Sequence, residues 1–366
     1  MSSPSAVSPA RPARPARRAP GTAVRRRGIA LSAALALLVL SAAASLFWGA
    51  RSVDPATVVA VLTGLPADLL GGGWSQVSAG LGIDAAVVQS RIPRTLTAVL
   101  VGAALAVAGA GMQGVSRNPL GDPGLLGLTA GAACAVVLGI GWLGLVATWQ
   151  LTALALAGSA VAAVLVFGSS RLGGGAPTPA GLVLSGAAVN AGFTALTTSV
   201  VLVLPAVLDR FRFWSIGSVA RAETTDLAAV APLVLLGVLL VLGGSSGLNA
   251  MALGDELAHG LGVDLGVQRF LVFVGVVLLS GSATALAGPI AFVGLLVPHA
   301  VRRFLGGDYR WIVLFSVVLG PVLLLLADVL GRVLTPPQEI HVGVTTVVLG
   351  VPVLLALLRR GRSVTL

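Results

Sequence analysis

Long apolar stretches recur along this chain, separated by short segments that are polar or rich in Gly and Pro. Each stretch covers about 20 residues, the length that an α-helix needs to cross about 30 Å of hydrocarbon. Hydrophobic residues make up 56% of the sequence and charged residues only 10%, whereas a soluble domain carries roughly 25% charged residues. The 48 glycines and the aromatic content of 5% favour closely packed helices over a transmembrane β-barrel. The sequence therefore predicts an all-α polytopic membrane protein and excludes soluble enzyme folds.

Hydropathy predicts ten membrane spans. The stretch 270–304 could form one long span or two short ones, because Ala287, Gly288 and Pro289 interrupt it. Two spans keep the arginines near its C-terminal end on the same side as the arginine-rich N-terminus, as the positive-inside rule favours. Both termini are then expected in the cytoplasm. The predicted spans are 28–48, 93–115, 125–144, 148–167, 182–204, 227–242, 270–286, 290–304, 311–330 and 342–358.

The N-terminal segment 1–27 consists mainly of Pro, Ala, Ser and Arg and has almost no large apolar side chains. Such a composition cannot bury a core. We therefore expect a disordered cytoplasmic tail over 1–27 and a single membrane domain over 28–366. The apolar stretch that follows the tail is long for a signal peptide, which favours an uncleaved first span.

Arginine supplies all 23 basic residues of the chain, and the net charge is +10. A P-loop places a lysine on the nucleotide phosphates, so a chain without lysine cannot bind ATP in that way. A partner would have to supply any ATPase. The arginines lie mostly in the tail and in loops, so membrane topology explains the charge better than nucleic-acid binding does. His299 has no second ligand at metal-binding spacing and is interpreted as structural.

Two arginines, Arg91 and Arg94, lie at the predicted outer mouth of the second span. They could extend to lipid headgroups, or they could pair with carboxylates of a partner that arrives from outside. The residues alone leave both alternatives open. Asp328 and Arg332, at the outer end of the ninth span, have the spacing of an i, i+4 ion pair on one helix.

A polar stretch over 247–269 is predicted to form a cytoplasmic loop with its own short helix. Asp255 and Glu256 suit the N-terminus of a helix. Leu253, Leu257 and Leu261 repeat every four residues and would form an apolar stripe. The stripe could pack on the spans of this chain, but a loop of this length is uncommon without a function.

Five ordered motifs between residue 91 and the C-terminus resemble the permease subunits of ATP-binding-cassette (ABC) importers for ferric siderophores, haem and cobalamin. The first three are RIPRTLTAVLVGAALAVAGAGMQ, RNPLGDPGLLGLTAGA and the loop with Gly254, Ala258, Leu261 and Gly262. The last two are AGPIAFVGLLVPHAVRR, followed by Gly307, Asp308 and Arg310, and a C-terminal set from Asp328 to Pro352.

This resemblance implies the type II ABC importer permease fold, in which residues 28–366 form the permease domain. It also implies a second permease subunit, identical or homologous, and two cytoplasmic ATPase subunits that bind ATP and Mg²⁺. A substrate-binding lipoprotein or periplasmic protein would deliver the substrate, and membrane lipid would surround the complex. No cofactor or metal is expected on this chain itself, and no nucleic acid is expected as a partner.

The resemblance also implies roles for individual residues. Arg91, Arg94 and Arg332 match arginines that dock the binding protein. The residues matching the ATPase-coupling segment are Gly254, Asp255, Glu256, Ala258, Leu261 and Gly262. The residues matching structural positions of the motifs are Asn118, Pro119, Pro123, Gly294, Pro298, His299, Arg302, Glu339, Gly343 and Pro352.

The expected function is import of ferric siderophore complexes across a bacterial plasma membrane. Cobalamin or haem is the alternative cargo. The alternative from another class is an ion-driven secondary transporter, which would normally place ionisable residues in mid-membrane. The inferred span interiors contain almost none.

Overall fold

The computed structural model describes residues 20–71, 75–170, 179–221, 223–260 and 263–359. Within these ranges the secondary structure consists of fourteen helices. They are α1 (Pro20–Phe47), α2 (Pro55–Gly71), α3 (Ser75–Val115), α4 (Leu128–Leu143), α5 (Thr148–Ser169), α6 (Pro179–Val203), α7 (Pro205–Trp214), α8 (Thr224–Gly243), α9 (Ser245–Met251), α10 (Asp255–Gly260), α11 (Leu265–Ala287), α12 (Val293–Leu305), α13 (Tyr309–Val333) and α14 (Val342–Arg359). The all-α prediction is confirmed.

Each predicted span corresponds to one helix of the structure: α1, α3, α4, α5, α6, α8, α11, α12, α13 and α14. Seven of the described helices are long and apolar enough to cross a membrane. Helix α12 has 13 residues, about 20 Å at 1.5 Å per residue, which is shorter than the hydrocarbon core. The predicted interruption after residue 286 is present, since Gly288 and Phe292 both have a φ of 70° between α11 and α12.

Two helices, α1 and α3, begin well before the residue that the sequence predicted. Helix α1 begins at Pro20, eight residues before the predicted start of the first span at Gly28, and residues 1–19 lie outside the described ranges. Helix α3 continues on the N-terminal side of Pro93 as far as a break at Gly82, where φ is 72° and ψ is −161°. Proline is favoured in the first turn of a helix, which is why the span was predicted to begin at Pro93. Arg91 therefore lies within a helix.

Helix α3 is the central element of the bundle and packs closely on α12 and α13. In its most apolar window 83% of the residues are buried, compared with 22% for α6. A Cβ atom at Gly102 would lie 2.7 Å from the carbonyl oxygen of Gly320, and one at Gly109 would overlap the backbone of Gly294. These glycines let the helix backbones touch, as in many membrane bundles. This packing brings both ends of α13 against other helices.

Candidate functional site

A cluster of charged side chains lies at the C-terminal end of α13. We call it the Asp328 cluster, and its members are Arg91, Arg94, Asp328, Arg332 and Glu339. Asp328 is 1% exposed and lies between two arginines. Nε of Arg94 donates to Oδ2 of Asp328 at 3.0 Å, and Nη2 donates to Oδ1 at 2.8 Å. Two parallel hydrogen bonds of this kind fix the plane of a guanidinium group.

The remaining edge of Arg94 faces the loop between α13 and α14. Its Nη1 donates to Oε2 of Glu339 at 2.6 Å. The Arg94 side chain is 12% exposed, whereas that of Glu339 is 34% exposed. One guanidinium group therefore bridges a buried carboxylate and a carboxylate near the surface.

Arg332 is also buried in this cluster, with 1% exposure. Its Nε lies 3.0 Å from Oδ2 of Asp328, which confirms the predicted i, i+4 ion pair. Nη1 donates to the backbone carbonyl of Ser45 at 3.0 Å, and Nη2 donates to the Ser45 hydroxyl at 2.9 Å. The Ser45 hydroxyl also lies 2.8 Å from Oγ1 of Thr95. Arg332 thus connects α13 to α1, and the hydroxyl pair connects α1 to α3.

Arg91 caps the end of α1. Its Nη1 donates to the carbonyl oxygens of Leu46 and Phe47 at 2.8 and 3.1 Å, and its Nη2 donates to that of Arg51. The last carbonyls of a helix have no partner within the helix, and here one arginine supplies it. A Cβ atom at Gly49 would lie 2.7 Å from Nη2, so glycine leaves room for this cap.

These contacts change the interpretation of the three arginines. Arg91 is 5% exposed and Arg332 is 1% exposed, and both donate hydrogen bonds within the chain. Direct pairing with a partner would require them to leave these acceptors, so the geometry does not support it. Only Arg94 has an edge near the surface, and Glu339 occupies that edge. Docking at Arg94 is taken up below as a proposal.

A second polar cluster lies at the N-terminal end of α13. We call it the Asp308 cluster, and its members are Arg27, Asn249, Arg302, Asp308 and Tyr309. Asp308 caps α13 by accepting from the backbone N–H of Arg310 at 3.1 Å. Its other oxygen lies 3.9 Å from Nη1 of Arg27 on α1. Nη2 of Arg302 donates to the Tyr309 hydroxyl at 2.9 Å.

Asn249 connects α9 to this cluster. Its Nδ2 donates to Oδ1 of Asp308 at 2.8 Å, and its Oδ1 accepts from the backbone N–H of Tyr309 at 2.8 Å. Helix α9 is otherwise held by apolar contacts, since Leu248 and Met251 are each 1% exposed. Asn249 was not among the residues singled out from the sequence.

The predicted coupling loop contains two short helices, α9 and α10, separated by Gly254 with a φ of 104°. Helix α10 begins at Asp255, the residue predicted to begin a helix. Leu253 and Leu257 are 60% and 63% exposed, while Ala258 is buried. The first two leucines of the predicted stripe therefore do not pack on the spans of this chain. Leu261 and Gly262 lie outside the described residues.

The Gly- and Pro-rich turn after α3 is held by its own side chains. Oδ1 of Asn118 accepts from the N–H of Leu120 at 2.9 Å, and Oδ1 of Asp122 accepts from that of Gly124 at 2.8 Å. Burial raises the pKa of the Asp122 carboxyl group. A Cβ atom at Gly294 would lie 3.0 Å from Oδ2 of Asp122. The turn with Asn118, Pro119 and Pro123 thus packs on the start of α12, which fits the predicted structural role.

The other motif residues lie on α12 and α14. Pro298 is buried inside α12, with His299 beside it. Gly343 is the second residue of α14 and donates its N–H to the carbonyl of Gly217 at 3.2 Å. Pro352 lies inside the same helix. Among the residues that the structure describes, no group of three or more His, Cys, Asp or Glu side chains is placed to hold a metal ion.

Comparison with protein families gives a match over nearly the whole chain. The model of the FecCD transport family matches residues 37–360. The chain belongs to the FecCD transport family. This confirms the resemblance seen in the ordered motifs. The matched residues include the α9–α10 segment, the Asp328 cluster and, except for Arg27, the Asp308 cluster.

Individual relatives in the FecCD family are similar over most of their length. The ferric enterobactin transport system permease protein of Escherichia coli (strain K12) is 39% identical over 340 residues, which cover 93% of this chain and 98% of the relative. The hemin transport system permease protein of Yersinia pestis is 40% identical over 282 residues, which cover 75% and 83%. A solved structure described as an inward-facing metal-chelate type ABC transporter matches with a TM-score of 0.75 and 28% identity, and the match covers 91% of this chain and 99% of that one.

Proposed function

We propose that this FecCD-family chain is the transmembrane permease subunit of an ABC importer that moves ferric siderophore complexes into the cytoplasm. The observation that carries the proposal is the full-length similarity to the ferric enterobactin permease, which covers 98% of that relative. The all-helical bundle and its match to a metal-chelate type ABC transporter support the same class. Haem is a second candidate cargo, because the hemin permease is 40% identical.

Separate ATPase subunits would power this transport. The chain has no lysine and therefore no P-loop lysine. Leu257 on α10 and Leu253, two residues before it, are both exposed. Two exposed leucines at a short helix can insert into an apolar cleft of a partner protein. We assign this surface, with Gly254, Asp255, Glu256 and Ala258 beside it, to ATPase contact.

The charges at the two ends of α13 support one orientation in the membrane. Arg27, Arg302, Arg303 and Arg310 lie at or near the Asp308 cluster, and the positive-inside rule favours the cytoplasm for such a group. The α9–α10 segment lies at the same end, as an ATPase contact requires. The Asp328 cluster then faces the binding protein outside the cell.

A second permease subunit would cover part of α6. Thr194, Thr198 and Ser199 are exposed on this helix, and a Cβ atom at Gly192 would meet no atom within 4 Å. Small and hydroxyl-bearing residues are typical of helix–helix contacts and of polar paths in membranes, and are less suited to lipid. If an identical or homologous permease faced α6, these side chains would line a polar path between the two subunits instead of contacting lipid.

Docking of the binding protein would use the surface edge of Arg94. Asp328 binds the guanidinium group from its buried side, and Nη1 faces Glu339 at the surface. A carboxylate of the binding protein can reach this edge only by replacing or joining Glu339. Glu339 is therefore expected to weaken docking rather than to promote it.

Iron uptake tests the proposed function. Cells that lack this chain, and the same cells complemented with it, would receive radiolabelled ferric siderophores and haem one at a time, with and without ATP depletion. Selective and ATP-dependent loss of one ferric siderophore is expected in the cells without the chain. Selective loss of haem would support the second candidate. Uptake that needs the chain but survives ATP depletion and follows an ion gradient would contradict an ABC importer.

A further inference from the structure

Helix α9 is wedged into the end of the bundle at which α13 begins. A Cβ atom at Gly114 of α3 would lie 2.8 Å from Leu248 and 3.0 Å from Tyr309, and one at Gly247 would lie 2.5 Å from Gln268 of α11. Helix α9 therefore contacts three long helices at once. These contacts are largely apolar, and apolar packing favours contact but is non-directional.

The Asn249 amide adds a directed link to this packing. Its Nδ2 and Oδ1 bind Asp308 and the N–H of Tyr309, which are 59 and 60 residues away in the chain. A planar amide that donates at one atom and accepts at the other fixes the distance and the angle of what it binds. The first turn of α13 is thereby held to α9 against pulling and sliding as well as against compression.

The position of this link suggests what it does. The chain between Asn249 and α11 carries α10, the proposed ATPase contact. On the other side, α13 has 25 residues and is about 37 Å long at 1.5 Å per residue, and Asp328 and Arg332 lie in its last two turns. Asn249 thus lies between the segment that the ATPase would move and a helix that reaches the opposite end of the bundle.

We infer that Asn249 is a positioning residue that transmits movement of the α9–α10 segment to α13, and that its two hydrogen bonds couple ATP hydrolysis to transport. The inference rests on the proposed function. Without the amide link, closure of the ATPases would still move α10, but α13 would follow less completely. ATP would then be hydrolysed with less substrate transported.

The test uses the complete complex of permease, ATPase and binding protein in proteoliposomes, and measures substrate transported per ATP hydrolysed. Asn249→Ala is expected to keep ATPase activity within about twofold and to lower the transport ratio by about tenfold. The control is Ser246→Ala, on the same helix but at an exposed position, and is expected to leave the ratio unchanged. A purely structural role would reduce the amount of assembled complex without changing the ratio for what assembles.

A charge-exchange pair keeps the test decisive if Asn249→Ala does not assemble. Asn249→Asp alone places a second carboxylate beside Asp308 and is expected to uncouple the complex. Adding Asp308→Asn restores a donor opposite an acceptor. In the native chain Oδ1 of Asp308 accepts from both Asn249 and the N–H of Arg310, so the double variant gives up the cap at Arg310 and is expected to recover part of the ratio that Asn249→Asp loses.

The outcomes separate this inference from the proposed function. If the wild-type complex shows no ATP-driven transport of any ferric siderophore or of haem, the proposed function fails whatever Asn249 does. If the wild-type complex transports and Asn249→Ala keeps the wild-type ratio, the inference is overturned. A double variant that recovers none of the ratio lost by Asn249→Asp would overturn the inference as well.

Discussion

The two ends of α13 are held in different ways. Asp328 is 1% exposed and is bound by two arginines, one of them equally buried. The Asp308 side chain is 35% exposed, and an amide, a backbone N–H and a distant arginine bind it. Removing one partner of a buried ion pair costs about 3–5 kcal/mol, whereas a typical hydrogen bond contributes about 0.5–1.5 kcal/mol. The Asp328 cluster is therefore suited to anchor the bundle, and the Asp308 cluster to move.

The largest expected effect is at Asp328. Asp328→Ala leaves Arg332 buried without its ion-pair partner and leaves Arg94 bound to Glu339 alone, so the free energy of unfolding should fall by about 3–5 kcal/mol. SDS titration of the purified chain measures this. Asp84→Ala is the matched control, because Asp84 pairs with Arg51 at an exposed site and such pairs contribute about 0–1 kcal/mol. Equal losses in the two variants would contradict an anchoring role.

A smaller loss is expected at Arg91. Arg91→Gln removes the guanidinium group that caps α1 and leaves partly buried carbonyl groups without this donor, which costs about 1–3 kcal/mol. The same titration checks it, with Arg51→Gln as the exposed control. If the main role of Arg91 were to bind lipid headgroups, the stability lost in Arg91→Gln would depend on the headgroup composition of the nanodiscs. The structure predicts that it does not.

Asp308→Ala should cost less stability than Asp328→Ala. It removes a helix cap worth about 0.5–2 kcal/mol but leaves no deeply buried charge. Thermal unfolding in detergent compares the two variants side by side. A melting temperature that falls as far for Asp308→Ala as for Asp328→Ala would remove the distinction between the two ends.

The smallest effect on stability is expected at Glu339, where the effect on docking is informative. Glu339→Gln keeps the size of the side chain but removes the charge that competes for Arg94, so affinity for the binding protein should rise several-fold at low ionic strength. Thr335→Ala, in the same loop, is the control. Surface-immobilised complexes in nanodiscs allow the measurement, and weaker binding by Glu339→Gln would show that Glu339 itself promotes docking.

Much of the fold could be predicted from sequence periodicity and local chemistry. Apolar length located the ten helices that correspond to the predicted spans, seven of which are long and apolar enough to cross a membrane. The Ala-Gly-Pro interruption separated α11 from α12. The Asp328–Arg332 pair followed from their spacing on one helix. These features depend on residues that are close in sequence, where helix geometry alone decides which side chains meet.

The contacts that define the two clusters could not be predicted in this way. Arg94 and Glu339 are 245 residues apart, and Asn249 and Asp308 are 59 apart. Their meeting depends on how α3, α9 and α13 pack. Arg91 was interpreted as lying at a span end because Pro93 suggested a helix start, and its burial became evident only because α3 extends beyond that proline.

Transport by a purified complex tests the central claim most directly. Proteoliposomes would contain this chain, its ATPase and its binding protein, with a radiolabelled ferric siderophore on the binding-protein side and ATP on the other. We expect accumulation that requires ATP hydrolysis and stops when ATP is replaced by a non-hydrolysable analogue. Accumulation that is unaffected by that replacement and is driven by an ion gradient would contradict the account.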